Sequence, residues 1–177
     1  MHGSGVGYVI LGALRHEPRS GYEIKQLVDK ATRFFWAASY GQIYPELRRL
    51  EKEGLIESSN ELADARRRVR YRLTRTGHAE LKRWLREPAT GYELRDEGLL
   101  KLFFADAIGA KDARALVRNL RVERESTLKR LRQIDQGRVG GFPGVVLAYG
   151  IEHHEWIVDW CARLERRLEE TGREVAR

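Results

Sequence analysis

The chain has 177 residues, of which 42% are hydrophobic and 33% charged, and its formal net charge is +7. It contains no run of about 18 apolar residues, which argues against a transmembrane helix. No basic segment precedes the short apolar patch near the start, which argues against a secretory signal. The single cysteine, Cys161, cannot form a disulfide within the chain. We therefore expect a cytoplasmic protein with one fair-sized domain or two small ones.

The positive charge is concentrated in the first half of the chain. Residues 1–87 hold 17 lysines and arginines against 11 acidic residues, whereas residues 88–177 hold 16 against 15. A segregated basic half favours a polyanionic partner, most often nucleic acid. An arginine-rich genome would explain the same charge without such a partner, so charge alone leaves both possibilities open.

Two short helices are predicted at the start of the chain. The first covers Val6 to Leu14, because Pro18 disfavours helix in the residue before it. Ser20 is followed three residues later by Glu23, which is the capping-box pattern at a helix N-terminus. The second helix is therefore expected to run from Gly21 to about Phe34.

The third predicted helix has clear signals at both ends and contains a proline. Ser39 and Gln42 repeat the capping-box pattern, and Gly54 is suited to end the helix as the residue after its C-cap. Pro45 lies past the first turn and costs one backbone hydrogen bond. An apolar stripe at positions i, i+4 and i+7 is formed by Ile43, Leu47 and Leu50.

A β-hairpin is predicted next, followed by a fourth helix. Leu55 to Ser58 forms the first strand. In the second strand the apolar residues alternate strictly with arginines, which is the period of two typical of a strand: Arg68, Val69, Arg70, Tyr71, Arg72 and Leu73. Thr74 can cap the fourth helix, whose apolar side contains Leu81, Trp84 and Leu85.

The sequence from Pro88 to Gly91 is the best candidate for a domain boundary, since a proline and a glycine coincide with the change in charge balance. We predict a winged-helix DNA-binding domain over residues 1–87 and a helical dimerisation and possible effector domain over 92–177. The second domain is expected to contain three helices and a loop at 137–144, with helix bounds Glu93–Ala107, Lys111–Asp135 and Val145–Glu170.

Three helices, a two-stranded hairpin and a further helix form the order of a winged helix-turn-helix, whose third helix enters the DNA major groove front end first. The fold class predicted is therefore mainly α, with this winged helix followed by an all-helical dimerisation domain. Six arginines lie within residues 66–75, more than protection of an exposed strand edge requires. The residues predicted to bind DNA are Ser20, Tyr22, Ser39, Tyr40, Gln42, Tyr44, Arg48, Arg49, Arg66, Arg67, Arg68, Arg70 and Arg72.

Four blocks of the sequence resemble the PadR family of transcriptional regulators: LGALRHEPRSGYEIKQLV, FWAASYGQIYPELRRLEKEGLI, RYRLTRTGHAELKRWL and LLKLFFAD. The tail resembles the larger-tailed subgroup with a three-helix C-terminal domain. The resemblance implies a homodimer that binds a palindromic operator in double-stranded DNA. It also implies repression that is relieved by a small effector, often aromatic or phenolic. By position, the recognition helix falls on Ser39 to Gly54 and the wing on Leu55 to Thr74.

Effector contacts are predicted for five residues: Tyr8, Trp36, His154, Trp156 and Trp160. Each has a plainer interpretation as core or dimer interface, since aromatic residues at helical spacing usually pack. His153 and His154 diverge by about 100° on a helix, which is poor spacing for a metal, and Cys161 is best interpreted as a small core residue. We expect no metal site, no cofactor and no catalytic residues.

Two other functions remain open on the sequence alone. The winged helix could be a scaffold for an enzyme or a small-molecule-binding protein, because one fold supports many functions. Alternatively, the chain could be an adaptor whose basic wing binds an acidic protein. The arginine-rich wing and the polar first turn of the third helix argue against the first of these functions. DNA of operator sequence, tested against random DNA and an acidic polymer, distinguishes all three.

Overall fold

The computed structural model describes residues 4–32, 35–59, 69–89, 95–137 and 139–175. The chain forms two compact units, Met1–Thr90 and Gly91–Arg177. Nowhere in the described part of the chain is a helix both long and apolar enough to cross a bilayer. In chain order the regular elements are α1 Gly5–Ala13, β1 Arg19–Ser20, α2 Gly21–Leu27, α3 Tyr40–Lys52, β2 Ile56–Ser59, β3 Arg70–Leu73, α4 Arg75–Arg86, α5 Glu97–Phe103, α6 Gly109–Asp135 and α7 Gly141–Val175.

The first unit is a winged helix, which confirms the predicted fold class. Its helices enclose a single aliphatic core in which the stripe predicted on the third helix is fully buried. Ser20 and Thr74 cap α2 and α4 as expected, and Gly54 follows α3 with φ 70°. That left-handed conformation favours glycine. The core residues of the stripe and their main partners are Ile10, Leu11, Ile24, Ile43, Leu47, Leu50 and Ile56.

The sheet of the first unit has three antiparallel strands rather than the expected two, in the order β1-β3-β2. Within the predicted hairpin, Glu57 lies opposite Arg72 and Ile56 opposite Leu73. The additional strand, β1, pairs Arg19 with Tyr71 and Ser20 with Arg70. The base of the wing is therefore hydrogen-bonded to the residues that start α2.

The second helix differs from its prediction. Regular α-helix ends at Leu27 and continues as a π-helical turn over Val28–Thr32. Phe34, the predicted end of this helix, and the tip of the wing over residues 60–68 lie outside the described residues.

The second unit is helical, as predicted, but the bounds of its helices differ. The α5 helix is short and is followed by a 3-10 turn over Ala105–Ile108, and α6 begins at Gly109 with φ 73°. The last helix, α7, already starts at Gly141, inside the segment predicted to be a loop. Pro143 is compatible with this start because the first turn of a helix tolerates proline.

The packed face of α7 contains only a few of its aromatic residues. The buried residues of this helix are Leu147, Gly150, His154, Cys161 and Glu165. Tyr149 and Trp156 are instead largely exposed on a neighbouring face. Tyr149 and Trp156 thus remain outside the core of this one chain, whereas Trp160 is partly buried and packs against the cluster of Val117, Leu120 and Cys161.

Candidate nucleic-acid interface

The exposed surface at the front of α3 is aromatic and cationic. Tyr40 and Tyr44 are stacked with their ring centroids 6.1 Å apart, and they are 44% and 42% exposed. Lys25, on α2, has a largely buried side chain that pairs with Asp29, and its ammonium lies 5.4 Å from the Tyr40 ring centroid. Gly21 makes this arrangement possible, because a Cβ there would lie 2.8 Å from the Tyr44 ring. We name this surface, formed by Lys25, Tyr40, Tyr44 and Arg48, the tyrosine row.

Arg48 extends the row by one further turn, since residues at i, i+4 and i+8 follow one side of a helix. Its side chain is exposed, and among the described residues no hydrogen bond or ion pair restrains it. Tyr22 is also exposed nearby on α2, and its hydroxyl accepts a hydrogen bond of 2.9 Å from Gln26 Nε2. These phenols and guanidinium groups can donate hydrogen bonds to phosphates or base edges.

Ser39 and Gln42 form the predicted cap of α3. The Gln42 Oε1 atom accepts hydrogen bonds from Ser39 N at 2.9 Å and from Ser39 Oγ at 3.1 Å. Both residues are exposed. The carbonyl oxygen of Gln42 is thus engaged within the protein, and its amide hydrogens are what it has left to donate to a ligand.

Ser20, which is predicted to contact DNA, is buried at the start of α2. Its hydroxyl accepts from Glu23 N at 3.3 Å, and its own backbone N–H donates to Glu23 Oε2 at 2.7 Å. Burial by itself raises the pKa of Glu23. The hydrogen bonds from Ser20 and the charge of Arg70 outweigh burial, so the pKa of Glu23 lies below its usual value.

The two described wing arginines have different surroundings. Arg70 Nη2 donates to Pro18 O at 2.7 Å and lies 3.5 Å from Glu23 Oε1, so it connects the wing to the start of α2. Arg72 is 57% exposed and pairs with Glu57 across the hairpin at 2.8 Å. Exposed pairs of this kind are weak, so Arg72 remains available to a ligand. Arg66, Arg67 and Arg68 lie outside the described residues.

Arg49 is also among the residues predicted to bind DNA. Its guanidinium is half-buried and is bound by the carboxylates of Glu46 and Glu53. Sequence reasoning, in turn, missed Lys25. Its place over the Tyr40 ring depends on how α2 packs on α3, and no local pattern reveals that packing.

The candidate effector residues of the first unit are already packed. The Tyr8 ring stacks on Trp84 at 4.4 Å between centroids, and its hydroxyl donates to Glu80 Oε1 at 3.0 Å. The indole of Trp36 lies directly against Gly5, where a Cβ would clash with the ring. Nevertheless, Trp36 keeps about half of its surface exposed.

The candidate effector residues of the second unit all lie on α7. His154 is buried, with Nδ1 2.8 Å from Gly150 O, and burial lowers the pKa of its imidazole. Trp156 and Trp160 are stacked with their ring centroids 6.4 Å apart, and Trp156 is the more exposed of the two. An open cleft of about 850 Å³ between α6 and α7 is lined by Trp156 and by charged residues that include Lys129, Arg132 and Glu155.

Comparison with known proteins accounts for both units. The transcriptional regulator PadR-like family matches residues 10–83, and the family described as virulence activator alpha C-term matches residues 94–169. A negative transcriptional regulator, PadR of Bacillus subtilis, is 33% identical over 127 residues, which cover 71% of this chain and 70% of that protein. A probable transcriptional regulator of Mycobacterium tuberculosis is 30% identical over 185 residues, covering 92% and 97% of the two chains. The chain belongs to the PadR-like family of transcriptional regulators.

Solved structures of PadR-like regulators share its architecture. Bacillus subtilis PadR in complex with operator DNA superposes with a TM-score of 0.80 at 28% identity, covering 92% of this chain and 98% of that one. The same regulator in complex with p-coumaric acid gives a TM-score of 0.76 and coverages of 93% and 98%. A PadR-like regulator from Bacillus cereus reaches 0.84 at 24% identity, covers 94% and 99%, and supports the fold alone.

Proposed function

We propose that this PadR-like protein is a homodimeric, sequence-specific DNA-binding repressor that is released by a small aromatic or phenolic effector. The observation that carries the DNA-binding part is the tyrosine row, an exposed set of hydrogen-bond donors at the front of α3. It lies in the half of the chain that holds most of the excess positive charge. The structure of Bacillus subtilis PadR with operator DNA supports the same use of the fold.

The proposed reading of DNA divides into two parts. Tyr40, Gln42 and Tyr44 enter the major groove at the front end of α3 and contact base edges, as the recognition helix of a helix-turn-helix does. Contacts to the phosphates of the DNA backbone fix the register and orientation of the protein on the duplex. Those contacts are assigned to Tyr22, Ser39, Arg48, Arg72 and the predicted wing arginines Arg66, Arg67 and Arg68.

The homodimer is supported by the apolar surface of the second unit. Phe103 and Phe142 are 79% and 88% exposed, and further large apolar residues lie on the same helices. Soluble proteins rarely leave such residues clustered in water, and a two-fold dimer covers them on both copies at once. A two-fold protein also matches a palindromic operator, whose half-sites lie about one helical turn apart.

The effector part is supported by the structure of Bacillus subtilis PadR with p-coumaric acid and by the stacked tryptophans of α7. We propose that an aromatic acid contacts Trp156 and Trp160. Titration of p-coumaric acid should then quench tryptophan fluorescence saturably in the wild type and less in Trp156→Phe. Unchanged quenching in that variant would exclude Trp156 from the effector site.

Fluorescence anisotropy tests the DNA-binding proposal. Labelled DNA from upstream of the protein's own gene is titrated at several salt concentrations, with random DNA and polyglutamate as competitors. Sequence-dependent binding is expected, and Arg48→Ala should reduce the slope of log K against log salt by about 1.8, because the homodimer loses one phosphate contact, worth about 0.9, in each subunit. Arg130→Ala removes the same charge from the second unit and should leave the slope unchanged.

Two results would reject the repressor proposal. If random DNA competes as well as the upstream DNA, and a genome-wide selection yields no preferred site, the protein is not a sequence-specific regulator. If polyglutamate competes as well as DNA, the basic surface is better explained as a binding site for an acidic protein.

A further inference from the structure

Two consecutive arginines on the recognition helix lie on different sides of it. At 3.6 residues per turn, successive residues diverge by about 100° around an α-helix. Tyr40, Tyr44 and Arg48 therefore share one side, which faces α2 through Lys25 and Gly21. Arg49 shares the other side with two carboxylates at helical spacing, Glu46 and Glu53, and this side faces α1. The buried stripe of α3 lies between the two sides.

The hydrogen-bonding capacity of Arg49 is used within the protein. Its Nε and Nη2 atoms donate to the two oxygens of Glu46 at 3.0 and 2.6 Å, which is a bidentate pair. Its Nη1 atom donates to both oxygens of Glu53 at 2.6 Å. Such planar, two-pronged pairs combine charge with fixed geometry, so the guanidinium is oriented by both carboxylates at once.

The same pair is joined to the first helix. Ser4, which caps α1 by accepting from Gly7 N at 3.0 Å, donates its hydroxyl hydrogen to Glu46 Oε1 at 2.5 Å. Gly7 leaves the space that the pair occupies, because a Cβ there would lie 2.5 Å from Glu46 Oε1 and 3.1 Å from Arg49 Nη2. The first turn of α1 and the middle of α3 are thus linked by a polar chain running from Ser4 through Glu46 to Arg49.

The local charge makes this side of α3 a poor phosphate site. Two carboxylates surround one guanidinium, so Glu46, Arg49 and Glu53 together carry a net charge of −1 when ionised. The hydrogen bond from Arg49 holds the pKa of Glu46 below its usual value, which keeps that carboxylate ionised at neutral pH. A phosphate approaching Arg49 would meet two negative groups that already occupy its donors.

We propose that Arg49 is a positioning residue that fixes the recognition helix to α1 through Glu46 and Ser4, whereas its neighbour Arg48 contacts DNA. The assignment rests on the proposed DNA-binding function. The two adjacent arginines are chemically identical, yet they are assigned different roles. The strut formed by Ser4, Glu46 and Arg49 sets the angle at which the tyrosine row is presented.

Glu46→Gln is the sharpest test, because the two roles of Arg49 predict opposite signs. If Arg49 contacts phosphate, weakening its internal partner frees it and strengthens binding. If Arg49 positions α3, the variant should lower the ratio of operator affinity to random-DNA affinity by about fivefold, since a loosened helix must be ordered on binding. Using this ratio cancels the general gain from removing a negative charge, and Glu17→Gln is the charge-matched control.

Substitutions of the two arginines add a second readout. Arg48→Ala should reduce the salt slope of the homodimer by about 1.8, about 0.9 for each subunit, while Arg49→Ala should weaken operator binding with no change in slope. Arg49→Lys keeps the charge but cannot form the two-pronged pairs, so it should not restore the operator-to-random ratio. A slope reduced by Arg49→Ala as much as by Arg48→Ala, or full restoration by lysine, would overturn the assignment.

Amide hydrogen exchange on the full chain tests the strut without DNA. Exchange at Gly7 and Tyr8, whose amides donate to Ser4, should accelerate at least about threefold in Glu46→Gln and Arg49→Lys and stay unchanged in Arg48→Ala. Unchanged exchange in all variants would overturn the strut. A wild-type protein that selects no operator while its exchange follows this pattern would reject the proposed function and retain the link between α1 and α3.

Discussion

The two units of this chain bury their apolar residues to different extents. In the winged helix, Ile43 and Leu47 are fully enclosed, and the aliphatic core connects α1, α2, α3, α4 and the sheet. In the helical unit, the cluster around Val117, Leu120 and Cys161 is smaller, while Phe103 and Phe142 face solvent. The winged helix is thus stabilised by apolar residues that pack within the unit, whereas the helical unit has exposed apolar surface available for association.

The helical unit also contains ion pairs that connect its helices. The α6 and α7 helices are joined by ion pairs, among them Arg121 Nε to Glu165 Oε1 at 2.7 Å and Arg114 Nη2 to Glu169 Oε2 at 2.8 Å. Arg124 ties α6 to Asp96 at the cap of α5 at 2.5 Å. Partly buried ion pairs fix geometry more than they add stability. We therefore expect the helical unit to be well defined in register yet dependent on its partner for stability.

The largest effect is expected from Leu47→Ala in the core of the winged helix. Removing a fully buried leucine should lower the free energy of unfolding by about 3 kcal/mol, because transfer and cavity costs add. The measurement is urea unfolding at several protein concentrations, with amide exchange in the winged-helix unit as the probe of unfolding. A loss that changes with protein concentration would show that this unit also depends on association.

A comparable test on the helical unit is Phe103→Asp. If Phe103 is buried between two copies, a carboxylate there should raise the dimer dissociation constant about 100-fold, the size of a strong interface residue. Sedimentation equilibrium measures this, and Lys111→Glu at the exposed start of α6 introduces an acid elsewhere on the same unit as a control. An unchanged dissociation constant would mean that another part of the surface is covered.

A smaller effect is expected at Gly54, which ends α3. Open space surrounds its Cα, so Gly54→Ala meets no neighbour and its cost is conformational. The φ of 70° should make alanine destabilising by about 1 kcal/mol. Gly12 also has open space but lies within α1, so Gly12→Ala should stabilise by up to about 1 kcal/mol. Equal effects of the two substitutions in thermal unfolding would contradict this reasoning.

A further effect depends on pH and distinguishes the two units. Burial lowers the pKa of His154 and outweighs the hydrogen bond to Gly150 O, which opposes the shift; His153 and Arg124 add to it and Glu123 opposes it. The unfolded chain therefore binds more protons below about pH 6.5, so the stability of the helical unit should fall as the pH drops through that value, by at most about 1.4 kcal/mol per pH unit. His154→Gln should remove this dependence in urea unfolding at pH 7.5 and 5.5.

In the winged helix, stability is expected to depend on pH over a lower pH range. The hydrogen bonds from Arg49 and Arg83 lower the pKa values of Glu46 and Glu80. Their contribution is complete above the usual carboxyl pKa, near 4.5, and is lost as the pH falls through the lowered values. A winged helix that loses stability between pH 7.5 and 5.5 would contradict this order.

What could be predicted from sequence was mainly local. The cap of α2 by Ser20 and Glu23, the buried stripe of α3 and the end of that helix at Gly54 depend on residues within a few positions of one another. The alternation of Val69 to Leu73 likewise identified the wing strand. Together these patterns were sufficient for the winged-helix fold, which the structure confirms.

Features that depend on distant partners could not be predicted. The two residues of β1 are too few for any periodicity, and they become a strand only because β3 lies beside them. Arg70 resembles a free surface arginine until Pro18 is placed next to it, and the link from Glu46 to α1 exists only because Ser4 lies beside it in the fold. On α7 the aromatic rings dominated the pattern, yet close packing against α6 selected the smaller residues Gly150 and Cys161.

The short strand β1 has a consequence for engineering. Because Arg19 and Ser20 pair with Tyr71 and Arg70, the hairpin is anchored to the turn that leads into α2. Arg70 strengthens the anchor through Pro18 O. A chimera that exchanges only the hairpin between relatives would therefore lose the native partners of the hairpin at residues 18–20. The segment to exchange is the hairpin together with residues 18–20.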